Sequence, residues 1–173
     1  MGTPGQYEPA LLFAALFTPE QSLLSQGVSS LAEHFGVPES ASGLFEFDET
    51  DYYSEEMGTG LYKELYLFPG IVNPGEIADI KLCTNSLETE YSEEGKRKLN
   101  IDPGYITLTK VVLATTKNYS HRIYIGKGIY CEITLSWHKG SFMPNSWTYP
   151  DYKRVQVIDF LNDSRTKLKT EIS

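Results

Sequence analysis

The sequence predicts a single mixed α+β domain, and three observations predict it. Apolar residues recur with period two in some stretches and with the three-to-four spacing of a helix in others, and the two signatures alternate along the chain. Two segments, Thr18-Pro19-Glu20-Gln21 and Asn73-Pro74-Gly75-Glu76, carry helix-start chemistry: a capping side chain, then Pro in the first turn. The chain has 173 residues, 40% of them hydrophobic and 22% charged, which suits one buried core. The domain is expected to span residues 1–173, with residues 1–8 a loose tail.

The elements follow in order. Leu11 to Phe17 is an uninterrupted apolar run of strand length. The first helix carries Leu24, Val28, Leu31 and Phe35 on one stripe and is stopped by Gly36 and Pro38. Gly43 to Asp48 and Leu61 to Phe68 alternate and read as strands, separated by an acidic, aromatic loop over residues 48–58. The second helix presents Ile77, Ile80, Thr84, Leu87 and Tyr91. Lys98 to Ile101 then resembles a short strand entering a turn at Asp102-Pro103-Gly104. That order, β-α-β-β-α-β, is the pattern of a ferredoxin-like core.

Two further elements extend this core. Thr107 to Thr116 reads as a short helix with Leu108, Val111, Val112 and Thr115 on one side, or as a β-branched strand; the helix is favoured. Ser120 to Trp137 predicts a β-hairpin around a three-residue loop, Gly126-Lys127-Gly128. In that register Ile125 faces Ile129, Tyr124 faces Tyr130, Ile123 faces Cys131 and Arg122 faces Glu132. One side is then wholly apolar, from Ile123 to Leu135, and the other polar, from Arg122 to Ser136. Asp151 to Ile172 is a C-terminal helix with Ile158, Leu161, Arg165, Leu168 and Ile172 along one side.

Composition narrows the function classes. No apolar run reaches the roughly 20 residues that span a bilayer. Residues 1–8 lack the Lys or Arg of a signal peptide, and Gln6 stands where a myristoylation motif needs Ser or Thr. A cytoplasmic protein is expected. The two cysteines, Cys83 and Cys131, form no CxxC pair or Cys/His cluster, so neither zinc nor a disulfide is expected. The net charge of −8 is unevenly spread: residues 1–95 hold 17 acidic side chains against two basic ones, Lys63 and Lys81, whereas residues 96–173 hold 13 basic against six acidic. Either the halves neutralise one another on folding, or the second half offers a basic face to an anion. An acidic protein is a poor general binder of nucleic acid.

The candidate site residues lie between Asn100 and Glu132. Arg122 opposite Glu132, flanked by Tyr124 and Tyr130, is either a cross-strand ion pair or a carboxylate acid/base beside an anion-gripping guanidinium. Asp102 is either a turn residue or an acid placed at a strand end. Thr115 to Arg122 gathers two Thr hydroxyls, Lys117, Asn118, His121 and Arg122, a donor set suited to phosphate. Asp102 and Glu132 are therefore the candidate catalytic residues. Lys110, Lys117, His121, Arg122, Tyr124, Lys127 and Tyr130 are the candidate ligand-binding residues, and no metal ligands are expected. Gly126-Lys127-Gly128 is no phosphate loop, because His121 and Gly128 occupy the places of the required Gly and Ser/Thr.

Five phrases together resemble one family. They are Asp51-Tyr52-Tyr53 with Glu56-Met57-Gly58; Asn100 to Tyr105; Leu113-Ala114-Thr115-Thr116-Lys117; His121 to Tyr124 with Gly126 to Tyr130; and Trp147-Thr148-Tyr149-Pro150-Asp151-Tyr152. Over nearly the whole chain the sequence resembles the bacterial domain-of-unknown-function family 4416. That resemblance implies no established activity. Family members are sometimes labelled GTP-binding proteins, but this chain lacks a P-loop and an Asn-Lys-x-Asp motif, Lys117-Asn118 being the reverse order. The expectation from the residues is a protein binding a small anionic molecule, such as a nucleotide or phosphorylated metabolite, and acting on it if it is an enzyme; Mg²⁺ would accompany a nucleotide. The alternative is a non-catalytic protein-interaction module using the loop 48–58, and a weaker one is single-stranded RNA binding on an aromatic sheet face.

Overall fold

The computed structural model describes residues 2–47 and 54–173. It is a mixed α+β structure: a large antiparallel sheet with helices on both faces. The strands are β1 (Ala10–Thr18), β2 (Ser40–Ala41), β3 (Phe45–Phe47), β4 (Leu61–Val72), the two-residue β5 (Ser92–Glu93) and β6 (Lys96–Arg97), β7 (Asn100–Ile106), β8 (Lys110–Thr115), β9 (Ile123–Gly126), β10 (Ile129–His138) and β11 (Ser141–Pro144). The helices are α1 (Gln21–Phe35), the single turn α2 (Ser54–Met57), α3 (Ile77–Glu90) and α4 (Val155–Glu171). The main sheet runs β11-β10-β8-β7-β1-β4-β2, with β3 also on β4 and β9 also on β10. No helix among the described residues is long and apolar enough to cross a membrane.

The central strand β1 is buried along its whole length, which explains its continuous apolar run. Its alternate residues feed two cores. Leu12, Ala14 and Leu16 face α1 and α3, packing with Leu24, Leu31, Ile77, Ile80 and Leu87. Leu11, Phe13 and Ala15 face α4, packing with Val157, Phe160, Leu161 and Leu168. Asn73 accepts the Gly75 N–H at 2.9 Å, the expected cap before α3. At α1 the expected box is displaced: the Thr18 hydroxyl accepts from the Glu20 N–H at 3.1 Å, and the helix starts at Gln21. On α4, the expected Arg165 stacks its guanidinium 3.5 Å from the Trp137 ring centroid.

Three expectations are corrected. The segment 107–116 is not a helix; its core is strand β8, paired on both sides by β7 and β10. Val111, Val112, Leu113 and Ala114 are all buried, and a strand covered on both faces has an apolar run that periodicity cannot separate from a helix. Asp102-Pro103-Gly104 is not a turn but the middle of β7. The hairpin loop is the two-residue turn Lys127-Gly128, both at positive φ (55° and 78°), closed by Gly126 opposite Ile129. A bulge then restores the expected pairs Tyr124–Tyr130 and Ile123–Cys131, while Ile125 loses its predicted partner Ile129. Asp48 and most of the acidic loop lie outside the described residues.

Beyond Gly104 the sheet forks. β7 pairs with β8 only from Gly104–Leu113 to Ile106–Val111, whereas β7 stays on β1 down to Asn100–Phe17. Two residues set the fork. A Cβ on Gly104 would lie 2.4 Å from the Val112 carbonyl oxygen and 2.6 Å from the Phe13 ring, so only Gly permits this close approach. Pro103 has no N–H to offer a neighbour, so it ends the ladder on the side where β8 departs. The next outward-pointing residue, Ile101, is served by α3 instead: its N–H donates to Glu88 Oε1 at 2.7 Å, and its carbonyl accepts from Lys81 Nζ at 2.9 Å.

Candidate functional site

The fork opens into a cavity of about 500 Å³, within the usual range of small-molecule sites. Its walls are charged, and two of the lysines are deeply buried. Lys63 (3% exposed), from β4, pairs with Asp151 (3%) at 2.6 Å, and its ammonium lies over the Phe47 and Phe17 rings at 4.6 and 5.3 Å. Lys81 (5%), from α3, lies 3.3 Å from Asp102 and 3.9 Å from Glu88. Arg97 donates to both Glu56 oxygens at 2.7 Å, to Glu88 at 3.3 Å and to Asn100 Oδ1 at 2.6 Å. Such groups cost several kcal/mol each to bury unless paired, so each has an opposite charge beside it.

Facing these is the inner side of β10. Glu132 is 3% exposed and receives Arg122 Nε at 2.8 Å and His121 Nε2 at 3.0 Å on the same oxygen. Arg122 is fixed further by the Lys117 carbonyl at 3.0 Å and the Tyr149 hydroxyl at 3.1 Å. His121 stacks on Trp147, ring centroids 5.4 Å apart and nearly parallel. Around Glu132 the hairpin is thus turned opposite to the usual expectation: Glu132 and Thr134 face in and Ile123, Ile125 and Ile133 are 70%, 40% and 41% exposed, while Ile129 and Leu135, beyond the register shifts of β10, stay buried. Alternation defines two faces but not which one is covered. The outward apolar face, with Cys131 and Trp147, lines an open groove that shares Lys117, Arg122, Glu132 and Tyr149 with the inner cavity.

Electrostatics follow from this packing. Burial pushes the Glu88 carboxyl up, against the nearby Lys81 charge. The hydrogen bond from Arg97 holds Glu56 below the ordinary carboxylate value, and the Glu56 hydrogen bond in turn raises Arg97. Burial works to lower Arg122, but its hydrogen bond and charge contact with Glu132 outweigh it and the guanidinium is raised. Burial takes the Cys131 thiol up to about 12, so it is no nucleophile at neutral pH.

Four sequence-nominated residues, Asp102, Lys117, Arg122 and Glu132, line this one cavity. His121 reaches it through Glu132 and itself lines the outer groove. The others go elsewhere. Lys110 lines the outer groove and pairs with Glu8 at 3.3 Å. Lys127 sits at the exposed turn and pairs with Asp79 of α3. Tyr124 and Tyr130 pack on one another, 5.2 Å between centroids, away from both cavities. The charge asymmetry resolves in part as neutralisation between the halves, through Lys110–Glu8, Lys127–Asp79, Arg97–Glu56 and Lys167–Glu39. Sequence reasoning passed over Lys63, Lys81, Glu88, Arg97, Asn100 and Asp151. A signal existed: Lys63 and Lys81 are the two basic residues of the first 95, and each sits on an apolar stripe.

The chain is thus an α+β domain whose sheet forks beside a cavity lined by paired charges. The chain belongs to the family described as a domain of unknown function, DUF4416, whose model matches residues 8–168. No curated protein and no solved structure shows significant similarity to it.

Proposed function

We propose that the chain binds a small anionic molecule, the size of a mononucleotide or phosphorylated metabolite, in the cavity at the fork. One observation carries this reading: Lys117 and Arg122, from the segment after β8, line a single cavity of about 500 Å³ whose other cations, Lys63, Lys81 and Arg97, are held in ion pairs. Asp102 and Glu132 face the same space, Asp102 the more exposed of the two, and would serve as acid and base if the ligand is transformed. We also read the core as ferredoxin-like, supported by the strand order β7-β1-β4-β2 with α1 and α3 on one face. The test is a thermal-shift and calorimetric screen with inorganic phosphate, ribose 5-phosphate and mononucleotides, with and without Mg²⁺. Binding that is lost in Arg122→Leu supports the reading. No response to any of these probes overturns it.

A further inference from the structure

The amide of Asn100 is 2% exposed and lines the cavity. Its orientation is fixed by chemistry. Arg97 Nη1 lies 2.6 Å from one end of the amide, and a guanidinium only donates, so that end is the oxygen. Arg97 is itself held by both oxygens of Glu56, so the amide cannot turn over without losing this donor. The other end, Nδ2, is buried and meets no acceptor among the described residues. Buried amide donors are nearly always satisfied, and one left over beside a cavity marks where a ligand acceptor belongs.

The surroundings describe that acceptor. Asn100 stands directly opposite Phe17 across the β7–β1 ladder, so the two side chains share a face of the sheet. Phe17 and Phe47 pack 5.1 Å apart at a tilt of 54° and both line the cavity, giving this end an aromatic lining. The cations here are already neutralised: Lys63 by Asp151, Lys81 by Asp102, Arg97 by Glu56 and Glu88. A further anion would approach the Glu88 carboxylate, so the group that fits is uncharged. The opposite end carries Thr115, Lys117 and Arg122, whose Nε is paired with Glu132 while its Nη groups keep N–H donors beyond those given to the Lys117 carbonyl and the Tyr149 hydroxyl.

We infer that Asn100 is the specificity-determining residue of this cavity: its Nδ2 donates to an uncharged ring acceptor of the ligand, whose anionic arm reaches Lys117 and Arg122. The ligand class is a phosphorylated molecule bearing a planar heteroaromatic ring, and the inference rests on the small-molecule reading above. The donor distinguishes such a ring from a phosphorylated sugar without one, because a ring nitrogen or carbonyl accepts without bringing a proton of its own, whereas a sugar hydroxyl that accepts here also brings an O–H that needs a partner.

The experiment is calorimetric titration of the full chain and of Asn100→Asp with UMP, AMP and ribose 5-phosphate. The aspartate keeps the side-chain shape and the acceptor for Arg97 but replaces the donor with a second acceptor. The wild type is expected to bind at least one mononucleotide on the order of tenfold or more tighter than ribose 5-phosphate. In Asn100→Asp that preference disappears, while ribose 5-phosphate affinity is largely retained. Asn100→Ser, which removes the amide without adding charge, gives the same comparison where the aspartate variant does not fold. Equal wild-type affinity for ring-bearing and ring-free phosphates, or a preference that survives both substitutions, overturns the inference and leaves the small-molecule reading standing. Binding of none of the three overturns both.

Discussion

Lys81 and Glu88, one helical face of α3, together occupy the hydrogen-bonding positions that a neighbouring strand would fill at Ile101. Lys81 donates to the carbonyl at 2.9 Å, and Glu88 accepts from the N–H at 2.7 Å. Two buried charges thereby stand in for a peptide edge, and the sheet can open without orphaned backbone groups.

The pair should behave as a unit. Lys81→Met leaves the Ile101 carbonyl unsatisfied and weakens the compensation of Glu88, an expected loss of roughly 2–4 kcal/mol. Chemical denaturation of Lys81→Met, Glu88→Gln and the double variant should show a double loss clearly smaller than the sum of the singles. Additive losses would mean that the two act independently.

Gly104 is expected to tolerate no side chain. Gly104→Ala places a methyl group against the Val112 carbonyl and the Phe13 ring, both within the packed centre of the sheet. The cost should be about 1–3 kcal/mol, or more if β8 is displaced. Denaturant midpoints measure it, and a change below a few tenths of a kcal/mol would contradict the close approach.

Glu132 separates charge compensation from shape. Glu132→Ala leaves the Arg122 guanidinium buried without its carboxylate, at an expected cost of roughly 3–5 kcal/mol. Glu132→Gln keeps an acceptor for Arg122 and His121 and should lose distinctly less. Equal losses in the two variants would assign the effect to packing alone.

Stability should carry an acid limb from Glu56. Its folded carboxyl is held below the ordinary carboxylate value of 4.5 by the hydrogen bond from Arg97, so its contribution is present above that value and is lost as pH falls through the folded one. Glu88 is shifted upward, so its contribution is fullest below the unfolded value and declines as pH rises through the folded one. Urea midpoints between about pH 3 and 7 should fall on the acid side for the wild type and flatten in Glu56→Gln. An unchanged slope in the variant would remove Glu56 as the source.

Much of this arrangement was legible in the sequence, and what was not has physical causes. Helix starts, stripes and the C-terminal helix depend on local chemistry, and α1, α3 and α4 lie where that chemistry places them. Asp102, Lys117, Arg122 and Glu132 were legible because polar donors and acids crowd a short segment there. Lys63 and Lys81 were not, because a charge is read as solvated by default, although each occupies a core position: Lys63 between Leu61 and Leu65, Lys81 between Ile77 and Thr84. Asp102-Pro103-Gly104 misled because the residues that make a turn also end a ladder. A proline within a central strand is itself the sign of a neighbour that departs. The inward side of the hairpin depends on which face finds a cover, a tertiary fact that alternation does not encode.

The fork has a consequence for how motion in this molecule would be observed. The Ile101 amide hydrogen is held by a side chain of α3 and not by a neighbouring strand, so its release requires Glu88 to let go. Its exchange with deuterium would therefore report the release of that side chain rather than the fraying of strands, and at a slower rate than an ordinary edge amide. A single backbone proton becomes a clock for access to the cavity, readable without any label on the site.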